Sequence, residues 1–173
     1  MIETERLRLR RPRASDFPAS HAMWSNPMVA QYINGVASTR PQSWVRLMAS
    51  IGHWESMAYG PFVAEERDGC AFVGEMWLFE HHREITPSID GIPEAGWAVT
   101  PAMQGRGYAT EALRGLLQWA DATLDAPRTV ALISEGNLVS VRVAEKAAFR
   151  EYRRTTLNHK PVILFERLRL PPT

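Results

Sequence analysis

Gly105 and Gly107 stand where a short strand-like run, residues 94–100, passes into a long helix with an apolar period. No other stretch constrains the fold as much. The first turn of a helix leaves backbone N–H groups without intrahelical partners, and the macrodipole adds partial positive charge, worth roughly 0.3–1 kcal/mol per interaction. Glycine lets the backbone take positive φ and approach a ligand with no Cβ in the way. Strand, two glycines and helix together make an anion site that suits a phosphate or pyrophosphate.

The two best-known phosphate cradles do not match. A triphosphate loop ends in Gly-Lys-Ser/Thr, whereas here Thr110 follows Ala109 with no lysine. A dinucleotide fingerprint needs a third small residue, which Thr110 half supplies. It also needs an acid at the end of the next strand, about twenty positions on. Residues 128–134 carry none, and Asp121 and Asp125 lie within or at the end of the helix instead. A nucleotide-dependent oxidoreductase is therefore disfavoured.

A chain of 173 residues with 45% hydrophobic and 23% charged residues is expected to form a single domain over 1–173 with a real core. A formal net charge of +1 argues against a generic nucleic-acid binder. The local run Arg6, Arg8, Arg10 alternates with Leu7 and Leu9, as in a strand with one wet face. The lone Cys70, beside Phe72 and Val73, reads as a small core residue and suits a reducing cytoplasm. No signal-peptide run and no span of about 20 apolar residues is present, so a soluble cytoplasmic protein without membrane partners is expected.

In chain order, residues 5–11 read as a strand closed by Pro12. A helix follows with Phe17, Ala22, Met23 and Trp24 inward, ending before Asn26-Pro27. A second helix over 41–57 carries Trp44, Leu47, Met48, Ile51 and Trp54 at helical spacing. These tryptophans suit core packing, and Trp24, Tyr32 or Trp54 is also suited to wall an acceptor pocket. Residues 60–67 and 70–79 form a hairpin around Asp68-Gly69, and a polar loop follows over 80–93. Its neighbours His81 and His82 point opposite ways in an extended segment, which disfavours a shared metal ion. The run 94–100 is the central strand, residues 109–124 the helix after the glycines, and 128–134 the next strand. Asn137 caps a last helix with Ser140 facing the same opening, and 149–156 and 161–170 are two closing strands.

Gln104-Gly105-Arg106-Gly107-Tyr108-Ala109 resembles the Gln/Arg-x-x-Gly-x-Gly/Ala pyrophosphate loop of the GNAT N-acetyltransferases. Three further signatures resemble the RimJ/RimL-like branch of that family, in order along the chain. They are Thr4-Glu5-Arg6-Leu7-Arg8-Leu9-Arg10, Glu94-Ala95-Gly96-Trp97, and Asn137-Leu138-Val139-Ser140 leading to Ala147-Ala148-Phe149. Ala148 departs from the family's usual glycine. The resemblance covers nearly the whole chain and implies an α/β (α+β) acyl-CoA N-acyltransferase fold. That fold has a mixed central sheet of about seven strands with about four helices, its strands splayed at the cofactor site.

The same resemblance implies acetyl-CoA as donor, an amine acceptor (a protein N-terminus or a small molecule), no metal, and often a homodimer. The pyrophosphate is expected on the amides of Gln104, Gly105, Arg106, Gly107, Tyr108, Ala109 and Thr110. The pantetheine arm is expected on the backbone of Trp97, Ala98 and Val99, with Asn137 and Ser140 near the thioester. Many relatives place an acidic tyrosine in the last helix where this chain has Ala144, so Ser140 is the candidate for a hydrogen bond to the departing thiolate. Glu94 is the candidate base, directly or through water, with a structural ion pair as its alternative role. His81, His82 and Glu75 are secondary candidates. A non-catalytic acyl-CoA sensor of the same fold is the alternative to an enzyme.

Overall fold

A computed structural model describes residues 1–33 and 35–170. Its strands are β1 (Ile2–Glu3), β2 (Leu7–Arg10), β3 (Phe62–Glu66), β4 (Phe72–Phe79), β5 (Glu94–Val99), β6 (Arg128–Ser134), β7 (Arg150–Leu157) and β8 (Lys160–Leu168). The helices are α1 (Phe17–Trp24), α2 (Pro27–Ala30), α3 (Arg40–Met57), α4 (Tyr108–Thr123) and α5 (Leu138–Lys146). One sheet of eight strands runs in the order β1-β2-β3-β4-β5-β6-β8-β7, and only β5 and β6 pair in parallel. The sheet exceeds the expected seven strands by β1, and the helices exceed four by α2. Two residues and four residues are too short to show a hydrophobic period.

Strand alternation sorts the two faces of the sheet. Ala95 and Val99 of β5 join the main core with Leu113, Leu116 and Leu117 of α4, while Ala98 packs with Met23, Trp24 and Val29 of α1 and its neighbour. Glu94 and Gly96 share the parity of Ala98 and so lie on the α1–α2 face. Gly96 has a packing reason. A Cβ there would sit 2.1 Å from the Trp77 ring, the cross-strand neighbour, whose indole lies over the glycine.

Helix boundaries follow local chemistry. Thr39 and Gln42 form a reciprocal capping box at the start of α3. Asn137 Oδ1 accepts from the Ser140 N–H at 3.1 Å and caps α5. At the end of α5, Phe149 N–H donates to Ala144 O and Ala148 N–H to Glu145 O, a Schellman closure with Ala148 at φ 66°. The alanine noted in the sequence thus occupies a conformation that favours glycine. Glu111, in the first turn of α4, accepts from Thr4 Oγ1 (2.6 Å), Arg6 N (2.8 Å) and Arg6 Nε (2.7 Å), which fastens the β1–β2 corner to the glycine loop.

Four expectations need correction. Cys70 is exposed, because it closes the β3–β4 turn at φ 56° and cannot also turn into the core. Trp44 is 42% exposed and meets Phe17 edge-on, at the rim of the stripe that Leu47 and Trp54 bury. The segment 80–93 is not merely a polar loop: Ile85 and Ile89 bury against Val130, Val162 and Leu164 and anchor it to the sheet. Arg10 also lies on less open ground than a wet strand face, with Asp16 and Glu65 both bonded to its guanidinium.

Candidate active site

β5 pairs with β4 along its full length but meets β6 at a single register point, Glu94 opposite Val130. Beyond that point the two strands diverge, so backbone on one edge of β5 lacks a strand partner. Thr100 N–H donates to Val73 O on the β4 side, and Pro93 O accepts from Val130 N–H on the β6 side. By alternation the N–H and C=O groups of Trp97 and Val99 face the gap, whereas those of Ala98 face β4. Ala98 meets the site only through the Trp24 cluster.

The glycine loop lies below this gap. Gln104 is fixed: its N–H donates to Pro101 O at 3.3 Å and its Nε2 to Val99 O at 3.0 Å. Gly105 (φ 76°) and Gly107 (φ 82°) both take the left-handed region, and Gly107 precedes α4. Among the described residues, the N–H groups of Gly105, Arg106, Gly107, Tyr108, Ala109 and Thr110 donate to no protein acceptor. A Cβ at Gly105 would point into open space, and Arg106 is an exposed cation beside the row. Residues 104–107 are all exposed. The Tyr108 side chain turns away, its hydroxyl donating to Glu66 Oε1, so only its amide belongs to the row. A consecutive set of free amides at a helix N-terminus fits a pyrophosphate group.

On the α1–α2 face a cavity of about 570 Å³ opens, and it reaches the gap. Trp24, Tyr32, Trp77 and Phe79 give it aromatic walls, Glu94, Asn137 and Ser140 line it too, and Trp97 borders it from the strand while its side chain packs on the main core. Trp54 does not, because its indole N–H is spent on Pro61 O inside the core. Glu94 is buried, and both its oxygens are held by Arg83, Nε to Oε2 at 2.6 Å and Nη2 to Oε1 at 2.7 Å. His81 Nε2 lies 3.7 Å from Glu94 Oε1. Burial lowers the His81 pKa to about 4 despite that carboxylate, so the imidazole is neutral at pH 7. His82 is exposed and lies outside the cavity lining.

Ser140 is half-buried; its N–H is committed to the helix cap and its hydroxyl faces no acceptor among the described residues. Asn137 spends Oδ1 on the same cap, which leaves its amide N–H₂. Ala144 is fully buried in the core. Glu75 is buried under the cavity and accepts from Ser20 Oγ (2.6 Å) and Trp24 Nε1 (2.9 Å). Burial pushes its carboxyl up from the ordinary range, against the pull of those bonds and of Arg46. Among the described residues no three His, Cys, Asp or Glu side chains are grouped to hold a metal ion, and no helix is long and apolar enough to cross a membrane.

Sequence reasoning missed Arg83, Arg46 and Ser20. Arg83 stood directly after the histidine pair and could have been matched to Glu94. Arg46 shares α3 with a core stripe and is displayed by tertiary placement alone, and a serine inside an eight-residue helix carries no signal.

A strand splay beside a free amide row at a helix N-terminus, with an aromatic cavity across it, defines an acyltransferase-like site. The sequence profile of the acetyltransferase (GNAT) domain matches residues 6–150. The chain belongs to the GNAT acetyltransferase family. It is similar to the solved structure of a putative GNAT-family acetyltransferase from Bordetella pertussis, at 34% identity and TM-score 0.83 over 96% of this chain and 98% of that one. It shares the fold of a RimL ribosomal L7/L12 α-N-protein acetyltransferase in complex with coenzyme A, at 18% identity and TM-score 0.77 over 95% of each chain. It likewise shares the fold of spermidine N-acetyltransferase from Vibrio cholerae in complex with CoA and spermine, at 19% identity and TM-score 0.74 over 94% and 95%. The last two structures carry a protein-modifying and a polyamine-modifying enzyme on one architecture, so the fold leaves the acceptor open.

Proposed function

We propose that the protein is an acetyl-CoA-dependent N-acetyltransferase that acts on a primary amine by direct attack within a ternary complex. The observation that carries this reading is the continuity of the three parts: free amide row, unpaired β5 edge, and a cavity lined by Glu94 and Ser140. The amides of residues 105–110 hold the pyrophosphate, and Gln104 fixes the loop against Val99 O. The backbone of Trp97 and Val99 takes the pantetheine amides in the manner of an added strand. Bound acetyl-CoA supplies the activated acyl group.

The chain's own work is positioning and proton management. The aromatic walls exclude water and aim the amine at the gap. Glu94 accepts the ammonium proton, directly or through a water. Each of its oxygens keeps a lone pair beyond the one that Arg83 engages. Ser140 Oγ donates a hydrogen bond to the sulfur as the thiolate departs, a charge developed only late in the reaction. The bidentate grip of Arg83 also favours the second reading, in which Glu94 only fixes the 80–93 segment and the domain binds acyl-CoA without turnover.

The two readings separate in a thiol-release assay over an amine panel that includes peptide N-termini, amino acids and polyamines. Ser140→Ala is expected to lower kcat about 10- to 100-fold with little change in acetyl-CoA affinity. Equal losses in both would make Ser140 a binding residue. Binding of acetyl-CoA with no release from any amine, in the wild type, would leave the sensor.

A further inference from the structure

Arg46, on α3, lines the cavity and has no carboxylate within ion-pair distance among the described residues. Among the described residues its side chain donates no hydrogen bond, and its Nε is buried without a partner. The guanidinium is nevertheless placed. It lies over the Trp24 ring, 4.1 Å from the centroid, and that indole is itself fixed by its bond to Glu75. A guanidinium presents five donors in a rigid fork and stays charged, and leaving such a group desolvated and unpaired is costly. The cavity's other ionisable groups make no ion pair with it among the described residues. Arg83 and Glu94 satisfy each other through two bonds. Glu75 gives its oxygens to Ser20 and Trp24, and burial drives its carboxyl toward the neutral form. His81 is neutral at pH 7. Arg46 therefore presents its guanidinium to the cavity on a rigid aromatic seat, with no carboxylate in ion-pair contact among the described residues.

We propose that the acceptor is a small amine that also bears a carboxylate, an amino-acid-like substrate, and that Arg46 binds that carboxylate while the amine lies toward Glu94 and the gap. This deepens the N-acetyltransferase reading and rests on it. It disfavours polyamines, which bring further positive charge to a cavity that holds the Arg46 guanidinium. Fork-to-carboxylate geometry is bidentate, so lysine does not replace arginine there.

The test uses the full chain with L-amino acids and short dipeptides, the C-terminal amide of each, and spermidine. Thiol release is followed for all of them, and calorimetry of the CoA-saturated protein follows binding of the same compounds. Carboxylate-bearing acceptors are expected to outperform their amides in kcat/KM by about 10- to 100-fold, and spermidine by more. Arg46→Gln should erase that preference, raising KM for the acid while leaving the amide, acetyl-CoA affinity and the melting temperature near wild type. Arg46→Lys should recover only part of it. Transfer to amides or spermidine as good as to acids, or an Arg46→Gln variant that keeps the wild-type preference, overturns the proposal while the acetyltransferase reading stands. Release from no member of the panel also overturns it. Absence of acetyl-CoA binding instead removes the reading beneath it.

Discussion

Replacing Gly107 by alanine isolates the backbone geometry of the anion cradle. A Cβ at this position meets only Arg6 Nη2, at 3.5 Å, which is ordinary contact. Steric collision is therefore not the issue. Gly107 holds φ 82°, and an L-residue in that region costs about 1–2 kcal/mol. The strain has two outlets. If the loop keeps its geometry, the cost appears in stability, offset by roughly 0.4–1 kcal/mol because alanine restricts the unfolded chain. At this chain length each kcal/mol is about 2–4 °C in Tm. If the loop relaxes instead, the amides of residues 105–110 turn away and acetyl-CoA affinity falls by up to about 5- to 30-fold. Calorimetric titration with acetyl-CoA beside a thermal melt captures both outlets. Gly52→Ala is the control, since nothing lies within 4 Å of its Cβ and it sits inside α3, where alanine gains about 0.5–1 kcal/mol. Its affinity for acetyl-CoA should be unchanged. A Gly107→Ala protein that melts and binds like wild type would refute the claim that the cradle needs a left-handed residue there.

Other positions give independent tests. Ala148→Gly relieves φ 66° in the closure of α5 and should raise stability by about 0.5–1 kcal/mol, read as a higher Tm with unaltered kinetics. Gly96→Ala drives a methyl into the Trp77 ring, 2.1 Å from its nearest atom, and should cost about 1–3 kcal/mol. Because Trp77 walls the cavity, KM for the amine should rise more than KM for acetyl-CoA. His81 has its folded pKa depressed from 6.5 to about 4, so the unfolded chain binds the proton first as pH falls. Its contribution is flat above pH 6.5 and destabilises progressively between 6.5 and 4. His81→Gln should be less acid-sensitive than wild type in that window by denaturant titration, and an identical profile would refute the depressed pKa of this imidazole.

Much of the fold could be read from the residues because long elements advertise themselves. The apolar stripe of α4, the Val-Ala-Leu-Ile centre of β6 and the Asn137 cap are local signals, and each appears where the pattern put it. The glycine pair was legible for the same reason: positive φ at a strand-to-helix junction has few uses. Cys70 was misread because its apolar neighbours outweighed the turn glycine before it, although the turn decides where that side chain goes. The cavity was harder to read. Glu94 and Ser140 carry local signatures, but Arg83 reaches Glu94 across 11 positions and Arg46 reaches Trp24 from another helix. Contacts of that kind depend on packing between elements, which no periodicity encodes. The splay itself was expected only through resemblance, since nothing in residues 94–99 or 128–134 announces that the two strands pair at one point.

The most direct measurement mixes purified protein with acetyl-CoA and the amine panel, and quantifies free thiol alongside the acetylated amine by mass spectrometry. The account predicts equal amounts of thiol and N-acetyl product for one amine class, with no acetyl group left on the protein. Tight binding of acetyl-CoA with no product from any amine, or an acetylated protein as the only product, would contradict it.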